Sequence, residues 1–195
     1  MKDTSILENV LSIEKLIYRA DELFLNTKNT YIQSYPEFIK YFNNIDLIEK
    51  HHLIISTHFV YGWMPTILNL DISNLQEFLD ILNKVKLKKE MENSEILFLK
   101  KHINNSLVGT SKLLHFICPE KYAIWDSKIY RYLYNKKPYG YRVGDVNLYK
   151  EYIATLKRIT MHEKFYLLLS IVETKLKYKV SPIRAIEIVM FSEFK

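Results

Sequence analysis

Residues 104–133 read NNSLVGTSKLLHFICPEKYAIWDSKIYRYL and hold, within one short stretch, three side chains able to do chemistry: Lys112, Trp125 and Asp126. An amine beside a polyanion can attack the sugar C1′ of a nucleotide and form a Schiff base. A carboxylate can stabilise an oxocarbenium-like centre or steer a water, as in glycoside cleavage generally. An indole can stack a planar base, and so can the aromatics of VYGWMPTIL, where Tyr61, Trp63 and Met64 can line an apolar pocket with Trp125. Each group also has an ordinary reading. Lysines near a helix start are usually solvated, aspartate before a helix is the commonest cap, and aromatics most often pack a core. For Asp126 the two readings do not compete, since a capping aspartate is held rigidly and can still present its second oxygen to a cleft.

The elements that must position these groups are helices. Apolar residues recur at helical spacing nearly throughout, and four glycines and five prolines leave little turn chemistry for a many-stranded sheet. The expected class is all-α, a multi-helix globular fold. Thr4 or Ser5 caps a first helix, residues 31–42 hold a short helix after Pro36, and Asp46 opens a run that Gly62 and Pro65 bend or end. Ser73 opens an amphipathic helix with Leu75, Phe78, Leu82 and Val85 on one face, and Ser94 caps the next. A hairpin over residues 104–110 then leads into a helix at 111–117, with Lys112 at its head, which Cys118-Pro119 ends. Asp126 caps the helix that follows, with Ile129, Tyr130 and Leu133 inward and Lys128 and Arg131 outward. Asp145 or Asn147 begins another, residues 165–176 a strongly apolar one, and Ser181-Pro182 the last. Residues 132–143 are the nearest thing to a mobile loop or short hairpin.

The formal net charge is +6, and it is unevenly spread. Residues 1–99 hold 10 Lys and Arg against 14 Asp and Glu, residues 100–142 hold 9 against 2, and residues 143–195 hold 9 against 6. A basic excess centred on the chemically interesting stretch favours a polyanion as partner, although a solvated basic face gives the same count. One cysteine, Cys118, excludes an internal disulfide and a four-cysteine cluster. The charged start MKDTSILENV and the lack of any run of eighteen apolar residues lead us to expect a cytoplasmic protein with no membrane partner. His51 and His52 are adjacent and so point to different parts of a helix, and the other histidines stand in no ligand spacing, so no metal and no cofactor is expected. Gly109-Thr110-Ser111-Lys112 lacks the first glycine of a phosphate loop and has no strand before it, and no GxSxG elbow supports a serine hydrolase.

In order, a helix, the Leu107-Val108-Gly109 turn, the helix bearing Lys112, and Ile124-Trp125-Asp126 opening another helix resemble the helix-hairpin-helix DNA glycosylase superfamily, which includes endonuclease III and the 8-oxoguanine glycosylases. The resemblance covers about thirty residues, within a motif placed at 94–134. It implies that Asp126 is the catalytic carboxylate, that Lys112 is the Schiff-base lysine of the bifunctional members, and that hairpin amides near Gly109, Thr110 and Ser111 hold a DNA phosphate. The hairpin proline and first glycine are replaced here, the Lys112-to-Asp126 interval is several residues shorter than in well-known members, and Ser127-Lys128 follows the aspartate in place of Thr or Val and His.

The leading expectation is therefore a single helical domain over 1–195, or two packed helical subdomains, that binds double-stranded DNA through the hairpin with Lys128 and Arg131. A base is extruded toward Trp125, Trp63, Tyr61 and Met64, and the N-glycosidic bond is cleaved with Asp126. Strand nicking is added if Lys112 reaches C1′. The alternatives are a non-catalytic nucleic-acid-binding or interaction module and a small-molecule-binding helical protein using the Trp63 pocket.

Overall fold

A computed structural model of the chain describes residues 7, 10–64 and 66–192; the expected cap at Thr4 or Ser5 and the expected breaker Pro65 lie outside them. The described residues are helical without a β-strand, in keeping with the all-α expectation. Eleven helices are found among them: α1 (Ile13–Glu22), α2 (Thr30–Asn43), α3 (Lys50–Gly62), α4 (Leu75–Lys86), α5 (Asn93–His102), α6 (Leu107–Ile117), α7 (Ser127–Tyr134), α8 (Gly140–Val143), α9 (Val146–Thr160), α10 (Phe165–Leu176) and α11 (Pro182–Ser192). They fall into two compact units, one made of Ser34–Ile124 and the other of Met1–Gln33 with Trp125–Lys195.

Several helix starts follow directly from side chains that satisfy the first free amides. Asp126 Oδ1 accepts from the amides of Lys128 and Ile129, both at 2.9 Å, and Asp145 Oδ1 accepts from Asn147 at 2.8 Å. Ser181 Oγ accepts from Arg184 N at 3.2 Å ahead of the helix that Pro182 begins. Asp46 does not start α3, which opens four residues later. Asn83 of α4 takes both backbone groups of Ile48, accepting from its N–H at 2.7 Å and donating to its carbonyl at 2.9 Å, and so holds that residue out of the helix. Pro36 lies inside α2 instead of ahead of it. It has no N–H to give the Ile32 carbonyl one turn back, and the Tyr178 hydroxyl donates to that carbonyl instead, at 3.0 Å.

In the unit Ser34–Ile124, α6 is the central element, packed against α3, α4 and α5. Nine of its eleven residues are buried, which leaves Val108 and Lys112, one turn apart, as the stripe that reaches the surface. In the other unit, α10 packs on α1 and α11, and α11 also lies against α7 and α9. Trp125, Tyr149 and Tyr152 are the largest fully buried side chains there.

Candidate functional site

Asp126 is the expected site residue that the backbone fixes most firmly. One carboxylate oxygen is spent on the two α7 amides, the side chain is half-buried, and the other oxygen has no hydrogen bond among the described residues. Trp125, immediately before it, is fully buried. Its indole N–H donates to the Val143 carbonyl at 2.8 Å, and its rings pack 5.2 Å from Tyr152 and 6.1 Å from Tyr130. That corrects the expectation that Trp125 lines a base pocket: no face of the indole is open, so it cannot stack a base, and its role is to anchor Asp126 and Val143 to the same core.

Three further residues of this unit bear on Asp126 and carry no recognisable pattern in the sequence. Glu187 of α11 is buried to 1 % exposure and paired with Arg184 Nη1 at 3.2 Å. Tyr152 of α9 is fully buried and its hydroxyl has no hydrogen-bond partner among the described residues. Burial pushes its phenol well up, and the nearby carboxylates of Glu187 and then Asp126 push the same way. An ion pair and a neutral phenol therefore back the Asp126 end of α7. On the outward side, residues 127–144 carry Lys128, Arg131, Lys136, Lys137 and Arg142 and no acid. Lys128 is exposed with its ammonium 4.5 Å over the Phe191 ring, and exposed Arg131 faces no carboxylate among the described residues.

The expected hairpin residues belong to the other unit and are arranged differently from the expectation. The turn is confined to Asn104 and Asn105, both left-handed at φ 53° and 48°, a conformation asparagine tolerates. It is held by the segment before α4: Asn104 N donates to Asn69 O at 3.0 Å, Asn104 Nδ2 donates to Ile67 O at 2.8 Å, and Leu70 pairs with Ile103 in an isolated antiparallel bridge. Ser106 then caps α6, accepting from Gly109 N at 3.1 Å, while Thr110 N donates to Ser106 O at 3.1 Å. The amides of Gly109 and Thr110 are thus consumed inside the helix, and Thr110 and Ser111 are fully buried, so these three residues are not placed to hold a phosphate. Lys112 is half-buried at mid-helix, not at the helix head, because α6 starts at Leu107. Ser106 was the available signal, a serine followed by a helical apolar pattern.

Tyr61 meets Gly109 so closely that a Cβ built on the glycine would lie 2.6 Å from the phenol oxygen. The tyrosine is 4 % exposed, so it too is packing and not a pocket wall. Burial raises its phenol pKa. Trp63 and Met64, which follow α3, are half-buried. The Trp63 indole N–H donates to Ser34 Oγ at 2.9 Å, with Phe116 at 5.0 Å and Phe38 at 5.6 Å. Of the expected pocket residues these two alone keep part of their surface open.

His51 and His52 do not point apart. Their ring centroids are 3.7 Å apart, and ligand atoms of both and of Glu49 lie within 4.8 Å of one another. The Glu49 N–H already donates to His52 Nδ1 at 3.1 Å, so that ring has one nitrogen left over. Glu49 and His51 also line a cleft of about 520 Å³ with Leu47, Leu79, Asp80 and Asn83, which none of the expected site residues joins. No described helix is long and apolar enough to cross a membrane. Compared with protein-family models, curated proteins and solved structures, the chain matches none.

Proposed function

We propose that this is a DNA-binding, glycosylase-like protein in which Asp126 assists cleavage of the N-glycosidic bond of a damaged or modified base. The observation that carries the reading is the Asp126 carboxylate. It is rigidly oriented by two amides, has an oxygen without a hydrogen bond among the described residues, and lies at the head of an acid-free segment with five cations. Held in that way, a carboxylate can stabilise positive charge at C1′ or direct a water to it, while cations on the same segment neutralise flanking phosphates. Phosphate contacts fall to Lys128 and Arg131 in this reading, since the Gly109 and Thr110 amides are engaged. Lys112 is the amine that would add strand cleavage through a Schiff base.

The second reading is a nucleic-acid-binding module without chemistry, favoured by those same engaged amides. Incubation with duplexes carrying a broad panel of damaged bases, including phage-type modifications, separates the two. Base release lost in Asp126→Asn supports direction of water by the carboxylate. A borohydride-trapped adduct lost in Lys112→Ala supports the lysine route. Absence of release from every substrate overturns the enzyme reading and leaves the binding module, whose affinity for DNA falls steeply as salt rises.

A further inference from the structure

We propose that residues 136–142 form a single-strand-binding platform, on which Tyr139 and Tyr141 stack unpaired nucleobases while Lys136, Lys137 and Arg142 meet the adjoining phosphates. This proposal rests on the nucleic-acid half of the reading above and not on base cleavage.

The segment is Lys136-Lys137-Pro138-Tyr139-Gly140-Tyr141-Arg142, three cations and two tyrosines in seven residues with no acid. The two rings are 45 % and 71 % exposed, parallel to within 9°, with centroids 5.8 Å apart. What sets these two apart from the other exposed rings is that they lie side by side and parallel, with cations beside them. Arg142 lies 5.5 Å from the centroid of each ring and donates from Nε to the Tyr141 hydroxyl at 3.1 Å, and the Lys137 ammonium lies 5.2 Å from the Tyr139 centroid. None of the three cations is paired with a carboxylate among the described residues, so their charge is available to a polyanion.

The platform is also fixed in place. Asn135 ends α7 in the left-handed conformation at φ 48°, its N–H donating to Arg131 O at 2.8 Å, and Pro138 stiffens the link. The Arg142 N–H donates to the Tyr139 carbonyl at 2.9 Å, which closes the short helix α8 over the segment. Val143, next in the chain, is tied by its carbonyl to the indole of Trp125. Trp125 therefore holds both the backbone of Asp126 and the end of this segment, so one buried ring sets the platform and the carboxylate in a fixed relation. Successive aromatic faces with interleaved cations suit single-stranded nucleic acid, because every base has a π-face and the phosphates follow at regular intervals. A folded acidic protein would be drawn by the cations alone and would leave the ring faces unused.

The test uses the full chain, a fluorescein-labelled twelve-nucleotide oligo-dT, an unmodified duplex and heparin, read by anisotropy over a salt series. Tyr139→Ala and Tyr141→Ala are expected to weaken oligo-dT binding by roughly 5- to 100-fold each, with the salt slope kept and heparin binding unchanged, while the Tyr→Phe variants bind as the parent does. Lys136→Ala/Lys137→Ala is expected to lower the salt slope by about 0.7 per lysine on the single strand. Both rings are exposed, so melting of each variant should match the parent and loss of folding is excluded as a cause. Equal binding of oligo-dT by the alanine variants overturns the proposal, as does a loss shared with heparin. If no base is ever released yet the tyrosine effect holds, cleavage fails and the platform stands. If base is released and the tyrosines are neutral, the platform alone fails.

Discussion

Replacing Asp126 by alanine, serine and asparagine separates what the side chain does for the helix from what it does for a substrate. In α7, only eight residues long, Oδ1 satisfies two of the orphan amides at 2.9 Å. Alanine removes both bonds and the negative charge at the helix start. Cap loss costs about 0.5–2 kcal/mol, and the charge contributes about 0.3–1 kcal/mol more. For a chain of this length each kcal/mol moves the melting temperature by roughly 2–4 °C, so Asp126→Ala should melt about 2–12 °C below the parent. Serine supplies an equivalent cap and should melt within a few degrees of the parent, and asparagine keeps the accepting oxygen while losing the charge. Neither provides a carboxylate oxygen for C1′ or a water, and both should release base about 10²- to 10⁴-fold more slowly on whichever substrate the parent cleaves. The assays are calorimetry and single-turnover base release. A serine variant that cleaves at the parent rate would show that Asp126 is a cap and nothing else, and an alanine variant that melts with the parent would refute the capping geometry itself.

Gly109→Ala places a methyl 2.6 Å from the buried Tyr61 oxygen, and overpacking of about 1–3 kcal/mol outweighs the ~1 kcal/mol that alanine contributes to an exposed helix, so urea denaturation should show a net loss. Tyr61→Phe removes that oxygen, which has no hydrogen-bond partner among the described residues, and should recover most of the loss in the double variant; strictly additive effects would refute the contact. Trp125→Phe leaves the Val143 carbonyl without its donor, costs about 1–3 kcal/mol, and should raise amide exchange over residues 135–143 while α4–α6 are unaffected; unchanged protection there would show that the indole does not hold the platform. Burial pushes the phenols of Tyr61, Tyr122, Tyr152 and Tyr178 up, so in the folded state they hold their protons past the pH at which the unfolded chain releases them. Their contribution is present below pH about 10 and lost as pH rises beyond it, so part of the 295 nm absorbance should appear only with loss of helix signal; complete ionisation with helicity intact would contradict the burial.

What could be read from the sequence was what depends on neighbours within one turn. Asp126, Asp145 and Ser181 act on amides two or three residues ahead, and all three helices start where those side chains require. Asp46 has the same chemistry, yet α3 ignores it, because Asn83, 35 residues away, captures the backbone of Ile48 first. Helix α6 starts at Leu107 and not at the expected 111 for a related reason. Gly109 looks like a turn glycine, but what its missing side chain permits is the approach of Tyr61 from α3, a contact between helices that periodicity does not encode. The turn belongs to two asparagines and the cap to Ser106, residues whose local chemistry was readable.

Aromatics divide in the same way, and that division decides which candidate site residues survive. Trp125 and Tyr61 are chemically as suited to a base as Tyr139 and Tyr141, but the first pair is sealed by partners from α9 and α6 while the second lies on a segment whose remaining members are cations, proline and glycine. A ring surrounded in sequence by apolar helical spacing is committed to the core when its helix packs. A ring surrounded by lysine, arginine, proline and glycine has no apolar neighbours with which to be buried. Glu187 follows neither pattern, since a buried glutamate in an apolar helix is explained only once Arg184 is found beside it, with the Asp126 end of α7 near enough for both carboxylates to act on Tyr152. Gly109, Thr110 and Ser111 are closed inside a helix, whereas Asp126 and the acid-free segment after it keep polar groups at the surface, and one buried indole fastens both ends of that stretch.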